Sequence, residues 1–285
     1  MVSEFPVFLG DALRFGLASL ILLPMLVANE RRLPRVNAKE GGTLFLQAFT
    51  GVFGFSVSLL FGLKLTGAAE SGIVTSTTPV VIALLSLLIF RETLTHVKWL
   101  GIGLTVLGMA VIQFSPATGE SESGNEQWLG PLLVFGAVIG EALFSILGKS
   151  LSKRLTPLAI ATYVIVLGFF MFLPFALGEG VHFDFSSVSL AGWAVMGYYA
   201  VVVTVIGFLL WYSGLAQVPA STVAGFTGLV PITALLFSYW LLDEAFAWSH
   251  LLGMGFVLGG IWLTAKGENE EMPAKVNIPA DQTGI

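Results

Sequence analysis

The stretch from Gly62 to Ile112 occurs twice in this chain. Moved forward by 152 positions it falls, without a gap, on Gly214 to Thr264. Gly62 and Leu63 meet Gly214 and Leu215, Thr75 meets Thr227, Pro79 meets Pro231, and Glu92 meets Glu244. Gly101, Gly103 and Gly108 meet Gly253, Gly255 and Gly260. Apolar helical sequence aligns with itself easily, so the apolar matches carry little weight. Pro, Glu and four Gly in ungapped register, among about a dozen identities in all, mark a duplication. The chain is therefore expected to fold as two copies of one unit.

That unit is built for a membrane. The 285 residues are 55% hydrophobic and only 11% charged, against roughly 25% charged in soluble domains, and the mean hydropathy is +0.88. Nine apolar runs of spanning length are read at about residues 5–28, 41–63, 71–90, 97–114, 128–148, 157–177, 189–215, 220–242 and 248–265. The fold class is an all-α integral membrane protein. The first run is too long for a signal peptide and lacks its basic flank. Between Gln113 and Gln127 lies an acidic, Ser/Gly-rich connector. It separates a first repeat, 1–114 with four spans, from a second, 128–266 with five. The stretch 115–127 is the linker, and the polar tail 267–285 is expected to be disordered. The net charge of −5 resides largely in that connector and tail, so it says little about partners.

Lys and Arg give the sidedness. Counting a crossing at each span, one face receives Arg31, Arg32, Arg35, Lys39, Arg91, Lys98, Lys149, Lys153, Arg154, Lys266 and Lys275. The other receives Lys64, with Arg14 inside a span. This bias predicts a cytoplasmic C-terminus. The connector carrying Arg91 and Lys98 then faces the cytoplasm, while its counterpart carries Asp243 and His250 at those positions and faces outward. The two copies are thus expected to be inverted, an arrangement common among secondary transporters.

The motif Ala12-Leu-Arg-Phe15 in the first span resembles one found in the EamA family of the drug/metabolite transporter superfamily. So does Pro79 to Glu92 followed by Gly101 and Gly108, repeated as Pro231 to Glu244, Gly253 and Gly260. The resemblance runs from Phe5 to Ala265. It implies ten helices in two inverted five-helix repeats around a central substrate cavity. It also implies transport, commonly export, of amino acids, other metabolites or toxic compounds.

Among single residues Glu141 stands out, near the middle of the span 128–148. A carboxylate at that depth costs about 2.5–3.5 kcal/mol on insertion scales. Such residues usually face the bundle interior and mark ion or proton paths. It is read as a proton-coupling or ammonium-binding group; the alternative is a buried partner for Arg14 or a hydrogen bond to a neighbouring helix. Arg14 lies inside the first span, one turn after Asp11, where the two can neutralise each other. A local pair snorkelling outward and a cavity role are both open for it. Pro79 and Pro231 break their spans and free the carbonyls of Thr75 and Thr227. Thr75, Thr78 and Thr227 could satisfy those groups or line a cavity, since matched broken helices point toward binding sites. Tyr163, Trp211, Tyr212 and Gln47 lie deep enough to border a cavity. Glu92 and Glu244 are read as structural, capping the next helix or tying down a connector. The repeated glycines are read as close-packing residues.

What is absent narrows the function. With no Cys in the sequence, disulfides, zinc–thiolate sites and cysteine nucleophiles are excluded. His96, His182 and His250 fall in connectors without metal-ligand spacing, so neither a metal nor a cofactor is expected. There is no phosphate-binding Gly-rich loop for an ATP-driven pump, no cluster suited to hydrolysis and no basic nucleic-acid surface. The expected function is a secondary transporter, not an enzyme. It exports a small metabolite such as an amino acid or organic cation across the cell membrane by alternating access. A membrane-embedded scaffold or enzyme is the alternative, and a channel a third reading. The partners on this reading are a small-molecule substrate and the lipid bilayer, with no nucleic acid and a homodimer left open.

Inversion requires an odd number of spans per copy, and the first copy supplies four. The runs 5–28 and 157–177 correspond, each opening on a Pro (Pro6, Pro157), so the counterpart of 128–148 is expected before Met1. Sequencing upstream tests this: in-frame codons should encode an apolar segment of about 20 residues, and their absence contradicts the expectation.

Overall fold

A computed structural model describes residues 4–30, 34–66, 68–92, 94–113, 128–241 and 248–276. These are mostly helical, with no strand among them. In order they form α1 (Val7–Glu30), α2 (Ala38–Ala48), a π-helical segment Phe49–Gly54, α3 (Phe55–Leu65), α4 (Ala68–Thr75), α5 (Thr78–Phe90) and α6 (His96–Gln113). There follow α7 (Leu129–Leu151), α8 (Pro157–Gly180), α9 (Leu190–Tyr198), a second π segment Tyr199–Ile206 and α10 (Gly207–Gln217). The last three are α11 (Ala220–Phe226), α12 (Leu229–Leu241) and α13 (Trp248–Val276).

Among the described residues, 8 helical stretches are long and apolar enough to cross a membrane, and a shorter apolar helix runs from His96 to Ile112. Leu20 (72%), Leu88 (71%) and Trp240 (75%) are widely exposed. Water would penalise so much contiguous apolar surface; lipid tails accept it. α13 continues past Gly267 to Val276, because extending a helix already nucleated by a packed span is cheap and Glu-rich sequence favours it. The connector 114–127, the stretch 242–247 with Glu244, and residues 277–285 lie outside the described residues.

The compact units do not follow the sequence halves. One comprises Met1–Leu60 and Ile139–Val218, the other Phe61–Val138 and Pro219–Ile285. Each draws on both copies of the repeat.

In the first unit α1 lies along α8. Phe15, Leu22 and Leu26 are buried, as are Ile160, Val164, Ile165 and Phe172. Phe15 stacks on Phe172 at 5.7 Å. Side chains satisfy the helix starts that lipid cannot. The Leu9 N–H donates to Glu179 at 2.7 Å, the Ala159 N–H donates to the Thr156 hydroxyl at 3.2 Å, and Asn37 and Glu40 form a reciprocal cap on α2. Tyr163 donates its hydroxyl to the Pro34 carbonyl at 2.8 Å.

In the second unit α6 and α13 meet on glycine. A Cβ on Gly108 would sit 2.6 Å from the Gly253 carbonyl oxygen, and one on Gly253 would sit 2.8 Å from that of Gly108. Gly101 and Gly260 face each other in the same way, at 2.7 and 2.5 Å. Only hydrogen fits at these four positions, which lets the backbones touch along the crossing. Val257, fully buried, packs there with Met109, Ile112, Ile232 and Leu235. Gly103 and Gly255 do not share this role: nothing lies within 4 Å of a Cβ built on either.

The same unit holds two broken helices. α4 gives way to α5 through Ser76 and Thr77, and α11 to α12 through Thr227 and Gly228. Pro79 stands in the first turn of α5, where its missing N–H costs nothing, so the chain breaks just before the proline. Hydroxyls at the breaks bond back to nearby helix carbonyls. Thr75 and Ser76 donate to Gly72 O at 3.0 and 2.8 Å, and Thr227 donates to Ala224 O at 2.8 Å. Glu92 caps a helix, though not the one that follows it: its carboxylate accepts the N–H groups of Ala220 and Ser221 at 3.1 and 3.0 Å, at the start of α11. Arg91, in the left-handed region at φ 54°, turns the chain there.

Replacing Gly108 by Leu should therefore lower the melting temperature in detergent sharply, since overpacking of this kind costs about 1–3 kcal/mol or more. Gly103→Leu, on an open face, should leave it nearly unchanged. Equal melting temperatures for the two variants would contradict the packing account.

Candidate functional site

The two π segments set up the site. Shifted by 152 positions, Phe49–Gly54 falls within Tyr199–Ile206, so the duplication carries the same widened turn in each copy. A π turn inserts one residue and re-aims the groups around it, which is why such turns gather at functional sites. The Thr204 hydroxyl supports the second by donating to Tyr199 O, five residues back, at 2.9 Å.

Glycine lets α7 close on the first π segment. A Cβ on Gly140 would lie 2.4 Å from the Thr50 carbonyl oxygen, and one on Gly51 would lie 2.3 Å from the Phe144 Cβ. This contact fixes Glu141, the next residue of α7, at the edge of a cavity of about 450 Å³ lying wholly within the first unit. The cavity's walls come from α1, both π segments, α3, α7 and α10. Its charged groups are Asp11, Arg14 and Glu141; its hydroxyls are Ser56 and Ser145; Phe15, Phe55, Phe144, Phe208 and Trp211 supply most of the rest.

Arg14 Nη2 lies 3.1 Å from Asp11 Oδ1, and the guanidinium sits 4.5 Å from the Phe15 ring centroid. Arg14 thus makes the local pair and also lines the cavity. Glu141 is the third charged side chain of the cavity lining. Ser145 donates its hydroxyl to the Glu141 backbone carbonyl at 3.1 Å.

Gln47 and Tyr212 do not line the cavity but back its aromatic wall. Both are fully buried. Gln47 Nε2 donates to Phe144 O at 2.8 Å and to the Tyr212 hydroxyl at 3.0 Å, and the Tyr212 ring packs on Phe144 and Phe208 at 5.5 and 6.2 Å. Further along α7, Lys149 Nζ donates to the carbonyls of Leu215 and Ala216 at 2.9 and 3.3 Å, tying α7 to the last turn of α10.

Of the residues singled out in the sequence, the structure brings Glu141, Arg14 and Trp211 together. Tyr163 is committed to Pro34 instead. Thr75, Thr78 and Thr227 belong to the second unit and are absent from this cavity's lining, as are Pro79 and Pro231. Sequence reasoning missed Ser56, Ser145, Phe144, Phe208 and the glycines at the π turns. Gly140 beside Glu141 was the available clue.

Comparison with known proteins agrees with this architecture. A family model described as the EamA-like transporter family matches residues 1–114 and 128–266. The chain is 42% identical over 276 residues to the uncharacterized transporter YetK of Bacillus subtilis (strain 168), covering 96% of this chain and 83% of that protein. It is 26% identical over 269 residues to a probable terminal-alkyne amino-acid exporter of Streptantibioticus cattleyicolor, covering 92% and 88%. A solved crystal structure superposes with a TM-score of 0.77 at 18% identity, over 94% of this chain and 90% of the other, a likeness of fold. The chain is a multi-pass membrane protein and belongs to the EamA-like transporter family.

Proposed function

We propose that this protein is a secondary transporter that exports a small metabolite, an amino acid or an organic cation, across the cell membrane by alternating access. The observation that carries the reading is the carboxylate of Glu141, placed with Asp11 and Arg14 in a mostly apolar cavity inside a membrane-embedded unit. A group so placed is stable protonated or paired with a cation. Proton and substrate ammonium compete for it, and that competition couples outward substrate movement to inward proton movement. Arg14 pairs with Asp11 at 3.1 Å.

The wider architecture is proposed to be nine spans in two inverted repeats with a cytoplasmic C-terminus. The reciprocal facing of repeat-matched glycines across α6 and α13 supports inversion, and helix breaks and π segments at matched positions support the duplication. The basic residues on one face support the orientation. The amino-acid exporter named above supports the substrate class. On this reading the chain is not an enzyme.

Proteoliposomes containing a pH-sensitive dye test the coupling. With L-leucine, L-phenylalanine and tetraphenylphosphonium offered in turn, at least one should drive proton movement through the wild-type protein. Glu141→Gln should abolish the dependence of flux on the pH gradient. Unchanged gradient dependence in that variant would rule out the carboxylate's role.

A further inference from the structure

At one end of the first unit, three polar contacts clasp two connectors together. The Thr156 hydroxyl donates to the Glu30 carboxylate at the end of α1. Tyr163 donates to Pro34 O at 2.8 Å, and Arg154 Nη1 lies 3.5 Å from Glu40 Oε1. The α1–α2 connector thus lies against the α7–α8 connector. Over residues 30–40 and 151–157 the sequence carries six cations (Arg31, Arg32, Arg35, Lys39, Lys153 and Arg154) against two carboxylates, a net +4. Arg31 and Arg32 lie outside the described residues. Both carboxylates are engaged inside the clasp. Arg35, Lys39 and Lys153, each the chain neighbour of a clasp residue, stand exposed. Lys149, earlier on α7, is by contrast spent on carbonyls of α10.

We infer that this clasp binds the headgroup of an anionic phospholipid. Charge complementarity is the first ground. A dense basic cluster directly beside membrane spans, with its own carboxylates engaged, attracts the phosphodiester of lipid in the adjacent leaflet. The second ground is what continues from it into the membrane. Leu46 stands seven residues beyond Lys39, roughly two turns along the same face of α2, and is exposed. Beside it the rings of Phe45 and Phe49, also exposed, stack at 6.2 Å. A cation at the head of an apolar helix face matches an amphiphile, with phosphate on Lys39 and acyl chains on Leu46 and the two rings. Lys and Arg suit this place because their stems lie along apolar surface while their heads reach the interface. A free phosphate would use the cations alone. One headgroup shared by Lys39 and Lys153 bridges the same two connectors as Arg154 and Glu40, and so stabilises the fold. Neither the cavity's cargo nor the compartment this face meets enters into it.

The test is lipid retention by the purified full chain in detergent, read by native mass spectrometry and by thermal shift. Phosphatidylglycerol is compared with phosphatidylcholine of the same acyl chains. The wild type should hold phosphatidylglycerol in preference and melt higher in its presence, an effect that added salt weakens. Lys39→Gln with Lys153→Gln should cut the preference at least about tenfold. Lys39→Arg with Lys153→Arg, which keeps both charges, should retain it. Arg91→Gln with Lys266→Gln removes as much charge from the same membrane face outside the clasp, and should leave the preference unchanged. Equal retention of the two lipids by the wild type would overturn the inference. So would an equal loss in the Arg91 and Lys266 variant, since the effect would then belong to the charge of the whole face. Glycerol phosphate stabilising the protein as much as phosphatidylglycerol would overturn the lipid as occupant.

Discussion

In a bilayer core no solvent is available to hydrogen-bond a backbone group, and this constraint shapes the molecule from end to end. It makes the described chain predominantly helical, and it decides how a helix is allowed to stop being regular. At the two breaks, Thr75, Ser76, Thr77 and Thr227 return their hydroxyls to carbonyls three or four residues back. At the start of α11, the Glu92 carboxylate stands in for the water that would otherwise meet the amides of Ala220 and Ser221. At the π segments the ladder is widened and not broken. Each irregularity comes with its own internal partner.

Close packing follows from the same medium. Lipid tails are as apolar as the side chains, so helices gain little by hiding leucine and must associate through contact of backbones and interlocking shapes. Glycine is the residue that allows this, and its placement divides the structure by role. At Gly101, Gly108, Gly253 and Gly260 it joins two helices along their length. At Gly51 and Gly140 it brings α7 against a π turn and leaves Glu141 at the rim of a cavity. The first use builds a rigid pair, the second a site.

The spans and the duplication were legible in the sequence because both rest on patterns that composition cannot hide: long apolar runs, and Pro, Glu and Gly in fixed register. The site was legible only at its charged members. Glu141 and Arg14 draw attention because charge is costly in lipid. Phe144 and Phe208 do not, since nothing in a linear reading separates a cavity-wall phenylalanine from a lipid-facing one. The π segments change which residues share a face, and no periodicity announces them. Thr75 and Thr227 attracted a site reading through their prolines, yet their hydroxyls are occupied with the backbone. Gln47 donates to the Tyr212 hydroxyl across 165 positions, a pairing that only the fold creates.

The central claim is that the Glu141 cavity is reached alternately from the two sides of the membrane. The absence of native cysteine makes a direct measurement simple: Ser56→Cys places one thiol in the cavity lining. A membrane-impermeant thiol reagent is then applied to right-side-out and to inverted vesicles under pH gradients of both signs. The account predicts reaction from each side, with the two rates moving in opposite directions when the gradient is reversed. Reaction from one side alone, or rates indifferent to the gradient, would contradict it.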